Sequence, residues 1–178
     1  MDLAKLLECQ SDYSPMQAGG FDLGKAYGYG ETVARDANLT LRTDLHDLVV
    51  QNGGTIHYID FATFSRYPDV FENSIYVHKE RDFDIILPLY ASHAENRYTI
   101  AHELGHYVLH SKGEKCYACR QGGSSPLERE AECFALGFIL PSELFKEMIK
   151  KYPNRDLSVI FQVPENIVEI RKQSLGIS

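Results

Sequence analysis

His102 and His106 stand four residues apart in the run Ala101-His102-Glu103-Leu104-Gly105-His106. On a helix this spacing stacks both imidazoles on one face, within reach of the same ion. Glu103 lies beside them, where a carboxylate can take a proton from metal-bound water. Two neutral imidazoles give a catalytic zinc ion two of its protein ligands; a third is needed, and water takes the fourth position with its pKa lowered to about 7. The chemistry implied is metal-assisted hydrolysis, with Glu103 accepting the proton and passing it to a leaving amine. The competing reading of so short a motif is a solvated helix whose histidines bind nothing. The apolar face of Ile100, Ala101, Leu104, Val108 and Leu109 weighs against it.

The third ligand is sought in Glu128-Arg129-Glu130-Ala131-Glu132, on a second helix. Ser125-Pro126-Leu127-Glu128 marks its start, with an N-cap serine, a proline in the first turn and a glutamate at the third position. Glu128 therefore has an ordinary role open to it, in a capping box. Glu130 lies in line with Phe134, Gly137 and Pro141, the side read as facing the first helix. Glu132 aligns with Leu136 and Ile139. Periodicity favours Glu130, with Glu128 and Glu132 as the alternatives. Gly137, without a side chain, would let the two helices approach closely.

The elements that must position these groups follow in order. Residues 31–51 carry helical spacing in one helix or two, broken near Asn38-Leu39-Thr40 and stopped by Asn52-Gly53-Gly54. Three short β-branched or aromatic runs, at 55–59, 74–78 and 83–87, read as strands. The histidine helix is expected from about Asn96 to His110, with Gly113 beyond its end. Residues 111–123 read as a polar loop. Helices are expected at 143–151, 156–162 and 164–174. Residues 1–30, with a short helical start at Leu3, Leu6 and Leu7 and then many glycines, read as an extension. The expected division is 1–30 extension, 31–142 metallopeptidase domain and 143–178 C-terminal helical segment, in an α+β fold.

The 178 residues, 44% hydrophobic, suffice for one core without disulfides. A formal net charge of −7 argues against nucleic acid or an anionic membrane as partner. The start lacks signal-peptide features and no window is apolar enough to span a bilayer, so a cytoplasmic location is expected. Cys9, Cys116, Cys119 and Cys133 are too scattered for a disulfide framework. The Cys116-x-x-Cys119 pair reads as two loop thiols rather than a zinc or redox pair, and Cys133 as a small core residue. His110 is read as a helix-end histidine, placed where a cation is favourable. His93, Tyr98, Tyr107 and Tyr117 are candidate donors to a developing oxyanion.

The segment Arg97-Tyr98-Thr99-Ile100-Ala101-His102-Glu103-Leu104-Gly105-His106-Tyr107-Val108-Leu109-His110 resembles the active-site helix of the ImmA/IrrE family of zinc metallopeptidases. Glu128-Arg129-Glu130-Ala131-Glu132-Cys133-Phe134-Ala135, continuing to Leu140-Pro141, resembles that family's second motif. The tail from Leu157 through Val163-Pro164 to Arg171 and Leu175-Gly176 is similar to its C-terminal helix pair. The resemblance covers about residues 31–178 and departs from the pattern at Glu132, where asparagine or aspartate is usual. It implies a minimal zincin of the gluzincin type, with Zn2+ held by His102, His106 and Glu130. It implies an endopeptidase acting on a regulatory protein, such as a helix-turn-helix repressor or an antitoxin-like regulator. The alternative is a zinc-containing binding module, or a toxin-like partner of such a regulator, without proteolysis. The helix-turn-helix rhythm of 156–175 suggests DNA reading, but Glu165 and Glu169 would meet phosphates, so packing on the domain is favoured.

Overall fold

The computed structural model describes residues 12–66, 73–119 and 125–177, which form an α+β unit of five strands and eight helices. In chain order these are β1 (Ser14–Pro15), α1 (Leu23–Asp36), α2 (Leu45–Gln51), β2 (Gly54–Ile59), α3 (Phe61–Arg66), β3 (Ser74–Lys79) and β4 (Asp82–Pro88). They continue as α4 (His93–His110), β5 (Cys116–Cys119), α5 (Pro126–Ile139), α6 (Ser142–Met148), α7 (Asn154–Phe161) and α8 (Glu165–Ser174).

The sheet is mixed, in the order β1-β5-β3-β4-β2, with β3 antiparallel to both β4 and β5 and the two outer pairs parallel. Side chains alternate across it as strand geometry requires. Ile75, Val77, Phe83, Ile85 and Leu87 join the main core, under the helices. Tyr76, Ile86 and Ile59 pack with Tyr13 on the other face. On that second face the buried Asp84 receives His57 Nε2 at 2.7 Å and His78 Nε2 at 2.5 Å.

Helix α5 is the central helix, packed against α4 on one side and α1 on the other. Its two contacts use different glycines. Gly105 of α4 meets Ala131, where a Cβ would come within 3.1 Å of the Ala131 Cα. Gly137 meets α1 instead: a Cβ there would stand 2.2 Å from the Tyr27 carbonyl oxygen. Gly30 of α1 is the reciprocal position, where a Cβ would stand 2.1 Å from the Phe134 carbonyl oxygen. The close approach expected at Gly137 is thus real but involves another helix, and Gly105 serves the α4 crossing. Gly137→Ala is expected to lower stability by about 1–3 kcal/mol, because backbone cannot give way as a side chain can. The gain of about 1 kcal/mol in helix propensity offsets part of that. Thermal unfolding would register it at roughly 2–4 °C per kcal/mol for a chain of this size.

Helix α8 is fastened to this body by Arg171, which is 1% exposed. Its Nε donates to the Leu140 carbonyl at 2.9 Å and its Nη2 to Ser142 Oγ at 2.9 Å and Glu31 Oε1 at 3.1 Å.

Several boundaries differ from the sequence reading. The expected break at residue 30 falls inside α1, whose Ala26, Gly30 and Ala34 are buried. The glycines that read as loop composition include one required by a helix crossing. The break between α1 and α2 is wider than expected, spanning 37–44. Within the expected 111–123 loop, β5 pairs with β3 and covers its edge; residues 120–123 lie outside the described residues. The expected helical start at Leu3, Leu6 and Leu7 also lies outside them. Among the described residues no helix is long and apolar enough to cross a membrane.

Candidate metal centre

Two capped helices build the site. Ser92 opens α4 with a complete capping box: its Oγ accepts from Glu95 N at 3.2 Å, and Glu95 Oε2 accepts from Ser92 N at 2.7 Å. This moves the start to His93, one turn earlier than expected. Ser125 caps α5 by accepting from Glu128 N at 3.3 Å, with Pro126 in the first turn. Only half of that second box forms. The Glu128 carboxylate leaves the cap and turns to the imidazoles of α4.

His102 Nε2 lies 3.1 Å from Glu128 Oε2, His106 Nε2 lies 3.4 Å from Glu128 Oε1, and the two Nε2 atoms are 3.1 Å apart. Ligands at 2.0–2.1 Å on a tetrahedral ion are about 3.3 Å from one another. Each of the three separations is close to that value, with the two imidazoles meeting different oxygens of Glu128. One ligand atom from each side chain lies within 4.8 Å of the others, and among the described residues they form the group that could hold a metal ion. All are buried, His102 at 3%, His106 at 1% and Glu128 at 6% exposure, and Glu103 is buried beside them.

The charge states suit a cation. Burial pushes the His106 imidazole down to about 4, against the opposing pull of Glu128. Burial would raise the Glu128 carboxyl, but hydrogen bonds and charge from His102 and His106 prevail and hold it at about 2. Two neutral nitrogens facing each other at 3.1 Å repel through their lone pairs unless a proton or a metal ion lies between them.

A further layer stands behind His106. Its Nδ1 lies 3.2 Å from His110 Nδ1, and His110 Nε2 lies 2.9 Å from Glu130 Oε2. Glu130 also accepts two backbone N–H groups, from Gly19 at 2.8 Å and Phe21 at 2.9 Å. The hydrogen arrangement that leaves His106 Nε2 free runs in one direction: His106 Nδ1–H donates to His110, and His110 Nε2–H donates to Glu130.

Glu130, expected as third ligand, is therefore not in the triangle; Glu128 is. Periodicity had placed Glu130 correctly with Gly137, but that flank of α5 faces α1 and the 19–21 segment. A helix buried on two sides has two core faces, and spacing alone does not tell which one meets α4.

The family model for the IrrE N-terminal-like peptidase domain matches residues 53–172. The chain belongs to this family. It is also similar to the metallopeptidase ImmA of Bacillus subtilis (strain 168), with 25% identity over 109 residues, 58% of this chain and 64% of that protein. The chain thus spans somewhat under two thirds of the length of that curated relative. Both the imidazole pair and Glu128 lie within the matched segment of this IrrE-like chain.

The remaining candidates fall away from the centre, with one exception. Tyr98 is buried, its ring centroid 6.4 Å from that of His102. Tyr107 stacks on Phe83 and accepts from Arg81 N at 2.9 Å. Tyr117 stacks on Tyr76, and His93 is exposed on the first turn of α4. Cys116 and Cys119 are buried strand residues rather than loop thiols, and three positions along a strand point to opposite faces. Burial pushes the Cys116 thiol up to about 11. His110 is not the helix-end cation expected: it sits between His106 and Glu130, with burial lowering its pKa, and the i, i+4 step it shares with the other two histidines is the sequence signal for that place.

The depressed His106 pKa also predicts how the metal-free protein responds to acid. Between the ordinary value of 6.5 and about 4, the unfolded chain carries a proton here that the folded chain does not. Acidification through that window should favour unfolding, on the order of 3 kcal/mol if the full shift is expressed. Denaturant titrations of chelated protein from pH 7 to pH 4 would show it as a falling midpoint, and a flat profile would contradict a neutral buried His106.

Proposed function

We propose that this IrrE-like chain is a zinc-dependent endopeptidase of minimal zincin, gluzincin-like architecture that cuts a regulatory protein. The helix-turn-helix repressors suggested by the resemblance are the leading substrate class. His102, His106 and Glu128 hold the metal. The observation that carries the reading is the convergence of these three side chains from two capped helices, with imidazole–carboxylate and imidazole–imidazole separations of 3.1–3.4 Å. When bound, zinc supplies Lewis acidity and lowers the pKa of water to about 7.

The chain's own groups do the rest. Glu103, next to His102 on α4, takes the proton from the attacking water on its carboxylate and delivers it to the departing amine. His110 and Glu130 keep His106 in the tautomer that exposes Nε2. Tyr98, whose ring centroid lies 6.4 Å from that of His102, is the candidate donor to a developing oxyanion. A cavity of about 330 Å³ is lined by Tyr98, Thr99 and Glu132, and Tyr98 and Glu132 each stand one turn along their helix from His102 and Glu128.

The test compares zinc-loaded wild type with Glu103→Gln in a lysate of the source cells, reading new protein N-termini by mass spectrometry. Termini from one or a few proteins, present only with wild type, are expected. The low exposure of the centre favours one other reading, a zinc-containing module that binds its regulator, or acts as its toxin-like partner, without cutting. Capture of the same partner by both forms, with no new termini, would establish that reading instead.

A further inference from the structure

A cavity of about 440 Å³ lies on the other side of α4, between the start of α2, Tyr58 of β2 and the first turns of α4. That volume suits a small ligand. Its buried lining is Leu45, Ile100 and Arg97, and exposed residues such as Arg42, Tyr58 and His93 form the rim.

Arg97 is the unusual member. It is 4% exposed, so its guanidinium is almost wholly removed from water. One N–H reaches the Thr43 carbonyl at 2.7 Å, but Nε is buried with no hydrogen-bond partner among the described residues. Its charge is met at longer range by Asp44, whose carboxylate is already engaged by His46 N at 2.8 Å. A buried cation short of a counter-charge is costly, and an anion entering the cavity would remove that cost. Arg42 at the rim adds a second permanent positive charge, and His46 and His93 add two more N–H donors. Asp44 opposes them with one negative charge. Tyr58, Leu45 and Ile100 supply an apolar wall.

We infer that this cavity binds a small oxyanion, a carboxylate or phosphate carried on a ring or short apolar body, with Arg97 as the primary contact and Arg42 as the second. A planar guanidinium matches either group through paired hydrogen bonds. Arg97 lies five residues before His102, on a different face of α4, so the site is separate from the metal triangle. The inference does not depend on whether the chain cuts peptides.

The test is a titration with phenyl phosphate, benzoate and uncharged benzyl alcohol, followed by NMR at the Arg97 Nε–H and the rings of His46 and His93. Full-length protein is used with and without zinc, since both anions can also bind zinc. Saturable shifts at Arg97 in both states are expected, with benzyl alcohol producing none. Arg42→Glu, an exposed change that does not touch the Thr43 contact, should weaken binding about tenfold or more. Arg97→Lys should weaken it as well. The stronger of the two anions identifies the natural group as phosphate or carboxylate. Shifts confined to the zinc site, no saturation below about 10 mM, or unchanged affinity in Arg42→Glu would each overturn the proposal.

Discussion

Glu128→Gln is expected to cost the protein roughly 100- to 1000-fold in zinc affinity, and Glu130→Gln no more than about 10- to 100-fold. The first figure follows from about 10–16 kcal/mol for a four-ligand zinc site, shared among its ligands. The second is what loss of an outer hydrogen-bond partner behind a ligating histidine usually costs. Both residues are carboxylates near the start of one helix, two positions apart, so composition and local charge are nearly the same for the two variants. Position separates them: Glu128 meets His102 Nε2 and His106 Nε2, while Glu130 meets His110 and two backbone amides. Competition with a chelating dye would rank the two. The visible spectrum of the cobalt-substituted protein adds a second criterion, because only a change of ligand should alter it. A larger loss, or a changed cobalt spectrum, in Glu130→Gln would return Glu130 to the inner position. His110→Gln should behave like Glu130→Gln, since both act through the His106 ring.

Much of this arrangement can be read from the chain, and the failures have a common cause. Local signals hold: Ser125-Pro126 marks the start of α5, and β-branched runs mark β2, β3 and β4. Ser92 and Glu95 carry an equally legible capping box, three residues apart, which places the start of α4 at His93. Helical spacing places His102 and His106 together on one face of α4, as the structure has them, and shows that Glu130 and Gly137 share a flank. It did not reveal the partner of that flank, because α1 lies in a glycine-rich stretch that looks like a loop until Gly30 is seen against Phe134. β5 escaped for a related reason. Its four residues, Cys116–Cys119, are strand only because the edge of β3 is there to pair with them. What remained hidden was long-range packing, the information that sets one carboxylate of a helix against His102 and His106 and another behind them against His110.

Glu103→Gln is expected to lower peptide hydrolysis by about 100- to 10000-fold, the range for removing a positioned general base. Zinc affinity should stay close to wild type, because Glu103 is outside the donor triangle. The amide keeps the size of the carboxylate but cannot take a proton from water or carry one to the leaving nitrogen. If Glu103 instead helped to bind substrate, the loss would appear in KM with kcat unchanged; a general base lost from the transition state lowers kcat and kcat/KM together. The residue is 1% exposed, so a drop in folded fraction must be separated from a chemical effect. Thermal unfolding of the zinc-loaded variant provides that control, and Glu103→Asp offers another, since a shorter carboxylate should recover part of the activity that glutamine does not. A fully active, zinc-loaded Glu103→Gln would exclude this glutamate as the base, and with it the mechanism proposed for the centre.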